Sequence, residues 1–122
     1  MKTTLLIVDD EPDIREYLKN RLEKSGFCVI TASNGKECID NACQNRPDLI
    51  ILDIVMPLMD GYEVVKQLKT NPSTSTIPII MHSVRRETDS IFKSMDLGSI
   101  DYVIKPAAFE DLLHVINRYI EA

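Results

Sequence analysis

The run Leu5-Leu6-Ile7-Val8-Asp9-Asp10-Glu11-Pro12 decides how the rest of this chain is read. Four consecutive apolar residues are too few for a helix, and their lack of alternation marks a strand buried on both faces, as in a parallel sheet covered on each side by helices. The run ends in two adjacent acids, which therefore stand at the strand's C-terminal end. Pro12 follows, and its fixed φ suits the first turn of a helix.

The same pattern recurs outward along the chain, at Cys28-Val29-Ile30, Leu49-Ile50-Ile51-Leu52, Ile77 to Met81 and Tyr102-Val103-Ile104. Between these candidate strands lie amphipathic stretches. Ile14, Tyr17, Leu18 and Leu22 fall at helical spacing, and Ser25-Gly26 supplies a stop, predicting a helix near 12–25. Asn34 is a candidate N-cap for a second helix, with Cys38, Ile39, Ala42 and Cys43 on one stripe before Pro47. A third helix follows Asp60-Gly61, carries Val64, Val65 and Leu68 and ends near Asn71-Pro72, leaving Ser73-Thr74-Ser75-Thr76 as a polar loop. Ile91, Phe92 and Met95 mark a fourth over 87–97, and Phe109, Leu112, Leu113, Ile116 and Ile120 a fifth. Alternating strands and helices with right-handed crossovers give an α/β, (βα)5 doubly wound fold of five parallel strands, in the common order 2-1-3-4-5.

Composition narrows the class. With 122 residues and 44% hydrophobic content, the chain can bury one core, so residues 1–122 are expected to form a single domain; no output domain is visible in them, which fits a stand-alone protein and a piece of a longer one equally. The net charge of −5, with Arg85-Arg86 the only adjacent basic pair, argues against direct nucleic-acid binding. No apolar run approaches the roughly 18 residues of a membrane span, so no membrane insertion is expected. Cys28, Cys38 and Cys43 make an odd count without metal-ligand spacing; they read as reduced, mostly buried residues of a cytoplasmic protein.

Chemistry concentrates at the strand ends. Asp9 and Asp10 follow the first strand and Asp53 follows the third. In the order 2-1-3-4-5 those two strands are neighbours, and the crevice between them is the topological switch point where doubly wound folds bind ligands. Ser83 and Lys105 end the fourth and fifth strands on the same edge. Two carboxylates about 4 Å apart repel by roughly 4 kcal/mol at an effective dielectric of about 20, so the acids require a cation. An oxygen-only ligand set selects a hard one, and Mg²⁺ suits a site that a phosphate completes. Asp60 is expected to cap the third helix. His82 reads as a satisfied buried side chain and His114 as surface.

Asp9-Asp10-Glu11, Asp53-Ile54-Val55-Met56-Pro57-Leu58-Met59-Asp60-Gly61, Ser83 and Lys105-Pro106, in this order at the ends of strands 1, 3, 4 and 5, resemble the response-regulator receiver family over essentially the whole chain. The resemblance implies a two-component phosphorelay receiver, a signalling phosphoacceptor rather than a conventional enzyme. Asp53 would take a phosphoryl group from a sensor histidine kinase or histidine phosphotransfer protein. Asp10 and Asp53 would ligate Mg²⁺ directly, Asp9 largely through water, and Val55 through its backbone carbonyl. Lys105 and Ser83 would neutralise the phosphoryl oxygens. Ser83 and Tyr102 would form a switch that changes the face built from strand 4, helix 4, strand 5 and helix 5 for a downstream effector.

Two positions depart from the family pattern: Val84 stands where a very small residue is usual, and Arg85 follows it. With apolar Val55, they are expected to slow hydrolysis of the phosphoryl group. A haloacid-dehalogenase-like phosphatase would need a second acid at position 55, and a flavodoxin-like carrier would need an anion cradle where Asp9-Asp10-Glu11 stands. A module that interacts without phosphorylation shares the fold.

Overall fold

The computed structural model describes residues 2–53, 61–83, 100–104 and 108–120. The helix expected over 87–97, together with Val55, Asp60, Val84, Arg85 and Lys105, lies outside the described residues. So do the side chains of Ser83 and Tyr102.

The described elements are β1 (Thr4–Val8), α1 (Pro12–Lys24), β2 (Cys28–Ala32), α2 (Gly35–Asn45), β3 (Leu49–Leu52), α3 (Gly61–Thr70), β4 (Ile79–Ser83), β5 (Ile100–Ile104) and a C-terminal helix (Phe109–Ile120). The five strands form one parallel sheet in the order β2-β1-β3-β4-β5, as the alternation of elements predicted. Successive residues of each strand enter opposite layers. Leu6, Val8, Ile50, Leu52, Ile79 and Met81 pack with Cys38, Ala42, Val64, Val65 and Leu68 from α2 and α3. Leu5, Ile7, Leu49, Ile51, Ile80 and Val103 pack with Leu18 and Leu22 of α1 and with Phe109, Leu112 and Ile116 of the C-terminal helix. Every residue of β3 is buried, which is why that run shows no alternation in the sequence.

Local chemistry sets the helix ends. Asn34 caps α2, its side-chain oxygen accepting the Glu37 N–H at 2.9 Å, while Glu37 reaches back to the Ser33 N–H and hydroxyl, both at 2.7 Å. Those two bonds hold the Glu37 carboxyl below its ordinary pKa. After α1 the chain turns at Gly26, whose φ of 101° favours a residue without a side chain. At the end of α3 the expected polar loop turns inward: Thr74 is 1% exposed and its hydroxyl donates to the Leu68 carbonyl at 2.6 Å. Lys69 adds bonds from Nζ to the carbonyls of Ser75 and Ile77, and partial burial lowers its pKa.

Three expectations need correction. The fourth strand begins at Ile79 rather than Ile77, because the Ile77 N–H closes a turn onto the Thr74 carbonyl and Pro78 has no N–H to offer a ladder. Tyr17 is 50% exposed: Ile14, Leu18 and Leu22 take the inward line, while Tyr17 flanks it and stacks under the Arg21 guanidinium, 5.7 Å from the ring centroid. Cys28 is exposed at the start of edge strand β2, whereas Cys38 is buried, with its thiol pKa pushed up to about 12, and Cys43 is partly buried. Burial thus makes Cys38 a packing residue rather than a nucleophile.

The cap and the inward hydroxyl should be measurable. Asn34→Ala is expected to cost about 1 kcal/mol of unfolding free energy. Thr74→Val, which leaves the Leu68 carbonyl without its donor, is expected to cost about 1–2 kcal/mol. Urea denaturation followed by circular dichroism checks both, with lower midpoints and unchanged slopes expected.

Candidate functional site

The β1–β3 register pairs Val8 with Leu52, so the next residue on each strand, Asp9 and Asp53, emerges side by side at the sheet's C-terminal edge. Both backbones remain tied to the ladder there. The Asp53 N–H donates to the Val8 carbonyl at 3.0 Å, and the Asp9 N–H donates to the Ala32 carbonyl at 3.2 Å. The chain bends at Asp10, which brings a third carboxylate to the same place. Oxygen atoms of Asp9, Asp10 and Asp53 all lie within 4.8 Å of one another.

Burial is uneven. Asp9 is 2% exposed and Asp53 7%, whereas Asp10 opens to solvent. One Asp9 oxygen accepts the Glu11 N–H at 3.0 Å, a local turn that fixes its carboxylate before any ligand arrives. Two such charges about 5 Å apart repel by roughly 3 kcal/mol at an effective dielectric of about 20. The cluster therefore suits a hard divalent cation. A few carboxylates, with waters making up the remainder, are the kind of donor set by which Mg²⁺ is held. The donors are all oxygens, as that ion requires.

The other expected site residues are reached only in part. Ser83 closes β4 and pairs in register with Ile104, the last residue of β5, so the Ser83 backbone occupies the same sheet edge as the acids. Lys105, the residue after Ile104, lies outside the described residues, as does Val55. His82 is buried, 8% exposed, as expected, and His114 is exposed.

Arg15 was not singled out by the sequence. From the fourth position of α1, its Nη1 donates to the Asp9 main-chain carbonyl at 2.7 Å, wrapping the helix start against the acidic turn. A basic residue so near a helix N-terminus is opposed by the helix dipole, and that was the available signal.

Among the described residues, no helix is long and apolar enough to cross a membrane.

Comparison with known proteins agrees with this geometry. The family model described as "Response regulator receiver domain" matches residues 5–117. The alkaline phosphatase synthesis transcriptional regulatory protein PhoP of Bacillus subtilis is 42% identical over 106 residues, covering 87% of this chain and 43% of that protein. The chain spans less than half the length of the curated relatives it matches. The chemotaxis protein CheY4 of Vibrio cholerae superposes with a TM-score of 0.89 at 31% identity, over 98% of this chain and 99% of that one. The response regulator TrrA of Thermotoga maritima, solved in complex with Mg²⁺ and BeF, superposes with a TM-score of 0.85 at 34% identity, over 98% of this chain and 99% of that one. With a flavodoxin-like parallel sheet, an acidic triad at its switch point and a family match running from β1 into the C-terminal helix, this chain belongs to the response regulator receiver domain family of two-component signalling.

Proposed function

We propose that this domain is a Mg²⁺-dependent phosphoacceptor in which Asp53 takes a phosphoryl group from a phosphohistidine on a kinase or phosphotransfer protein. The observation that carries the reading is the convergence of the Asp9, Asp10 and Asp53 carboxylates within 4.8 Å at the sheet's C-terminal edge. The Mg²⁺–BeF complex of TrrA, a structural neighbour, supports it.

In the proposed reaction an Asp53 carboxylate oxygen forms a bond to phosphorus as the phosphorus–nitrogen bond to the donor imidazole breaks. The nitrogen keeps the electron pair and takes up a proton. Asp53 needs no base, because an aspartate is already ionised near neutral pH. Its backbone bond to Val8 fixes where the side chain leaves the sheet and its burial limits the room the carboxylate has, which favours the positioning that in-line transfer rewards. Asp10 and Asp53 would hold Mg²⁺ directly, the Val55 carbonyl would join them, and Asp9, fixed by the Glu11 amide, would act through water. When bound, Mg²⁺ supplies neutralisation of the charge on the transferring group. Lys105 and the Ser83 hydroxyl would contact the other phosphoryl oxygens.

Phosphorylation adds charge and strong acceptors at this edge, and Ser83 and Tyr102 would pass the change to the face built from β4, the segment 84–99, β5 and the C-terminal helix. Partners are proposed to be proteins: the donor kinase or phosphotransfer protein, and an effector that reads that face. An acidic domain of net charge −5 is poorly suited to phosphate backbones. Residues 1–122 are proposed to act as one domain in a reducing cytoplasm. Val84 and Arg85, beside Ser83, are proposed to slow hydrolysis of the acyl phosphate.

Amide NMR spectra of the wild type and of Asp53→Ala, recorded with Mg²⁺ before and after addition of beryllofluoride, test the acceptor. Shifts around Asp53, Ser83 and Lys105 are expected in the wild type and absent in the variant. A folded wild type whose spectrum does not respond would favour an interaction module that works without phosphorylation. Asp10→Asn should weaken Mg²⁺ binding by at least the roughly 10–100-fold seen when an outer partner of a metal ligand is lost. Isothermal calorimetry measures this directly.

A further inference from the structure

The guanidinium of Arg21 closes the seam between α1 and the C-terminal helix. Its central carbon lies 4.4 Å from the centroid of the Phe109 ring and 5.7 Å from that of Tyr17. Nη1 donates to the Tyr17 hydroxyl at 3.2 Å, and Nη2 stands 3.8 Å from the Glu110 carboxylate. Both aromatic contacts fall within the reach of cation–π attraction, about 6 Å, and a planar guanidinium suits a ring face better than an ammonium does. The ion pair with Glu110 is open to solvent on both sides and contributes little. The stack on Phe109, a buried ring in the layer that holds Leu18 and Leu22, carries the seam.

Phe109 is the first residue of its helix, and the Ala108 carbonyl just before it accepts the N–H groups of Asp111 and Leu112. The body of that helix has separate anchors. Leu112 and Ile116 are buried in the same layer, and Arg118 and Tyr119 donate to the Asp101 carboxylate of β5. Arg21 therefore bears on the first turn, while the rest of the helix is held without it.

We infer that Arg21 is a positioning residue for the phosphoryl side of the acidic site, acting through Phe109 on the connection 105–107; this rests on the proposed roles of Asp53 as acceptor and Lys105 as a phosphoryl contact. That connection is bounded by Ile104, the last residue of β5, and by Ala108 at the helix start. Three residues reach only about 10–11 Å when extended, and Pro106 has a fixed φ, so the link has little slack and a shift of the helix start is passed to Lys105. The acids are tied elsewhere. The Asp9 N–H donates to the Ala32 carbonyl, the Asp53 N–H to the Val8 carbonyl and the Glu11 N–H to the Asp9 carboxylate, and none of these bonds involves the C-terminal helix. Loosening its first turn thus weakens recognition of the phosphoryl group and leaves Mg²⁺ binding in place.

Two titrations separate these effects. Calorimetry gives the Mg²⁺ affinity, and amide NMR at saturating Mg²⁺ gives the affinity for beryllofluoride, a small ligand that needs no partner protein. Arg21→Ala is expected to bind beryllofluoride roughly three- to tenfold more weakly than wild type, the ratio to which loss of one cation–π contact corresponds. Its Mg²⁺ affinity should be unchanged. Phe109→Leu keeps an apolar side chain without the ring face and should match Arg21→Ala. The double variant should be no weaker than the weaker single one, because both remove the same contact. Glu110→Gln should stay within about twofold of wild type. A role of Arg21 confined to general stability would lower the unfolding midpoint without parting the two affinities.

A beryllofluoride affinity of Arg21→Ala equal to that of wild type overturns the inference, as does a Mg²⁺ affinity that falls by the same factor. Losses that add in the double variant overturn the route through Phe109. If circular dichroism shows that Arg21→Ala or Phe109→Leu does not fold, Arg21→Gln is judged by the same two affinities. A wild type that binds Mg²⁺ but gives no response to beryllofluoride overturns the phosphoacceptor reading itself, which separates the two failures.

Discussion

Two buried carboxylates held side by side by strand pairing are the constraint on which the rest of this structure turns. The register that sets Val8 against Leu52 leaves Asp9 and Asp53 no choice but to emerge together, and both backbones stay bonded to the ladder as they do so. The buried β1 and β3 runs make slippage costly. A one-residue shift would move every apolar side chain of a strand to the opposite layer and part the acids as well. Packing energy therefore holds an electrostatically unfavourable pair in place.

The surroundings of that pair show how the unfavourable charge is managed. Asp10 leaves the sheet by a bend and keeps its carboxylate exposed, so only two of the three charges lose most of their solvent. The Glu11 amide satisfies an Asp9 oxygen, and Arg15 anchors the carbonyl of the same residue. Each contact comes from within six residues of Asp9. The site's rigidity is thus largely local on the β1 side, while its convergence with Asp53 is a product of the sheet.

At the opposite edge of the sheet the solutions are different in kind. Thr74 and Lys69 turn a polar segment inward to satisfy carbonyls at the end of α3 and in the loop beyond it. Asp101 at the start of β5 accepts bonds from Arg118 and Tyr119, joining that strand to the C-terminal helix. Neither group touches the acidic triad. They hold the helices against the sheet at the edge away from the acids.

Apolar periodicity alone determined the class of fold, the number and type of the described elements and the identity of the acids, since runs such as Leu49–Leu52 have one economical place in a covered parallel sheet. The acids, Ser83 and Lys105-Pro106 at the strand ends carry the family resemblance in the sequence as well. Tertiary structure decided what periodicity does not encode. Ile77 leaves the ladder because its N–H is used by Thr74, Tyr17 lies outside the core because Leu18 and Leu22 occupy the inward line, and Cys28 is exposed because β2 is an edge. Arg15 belongs with these: its tie to Asp9 spans a helix start that no strand or helix period describes. Period fixes which face a residue takes, but hydrogen-bond partners across a turn are chosen only when the chain has closed on itself.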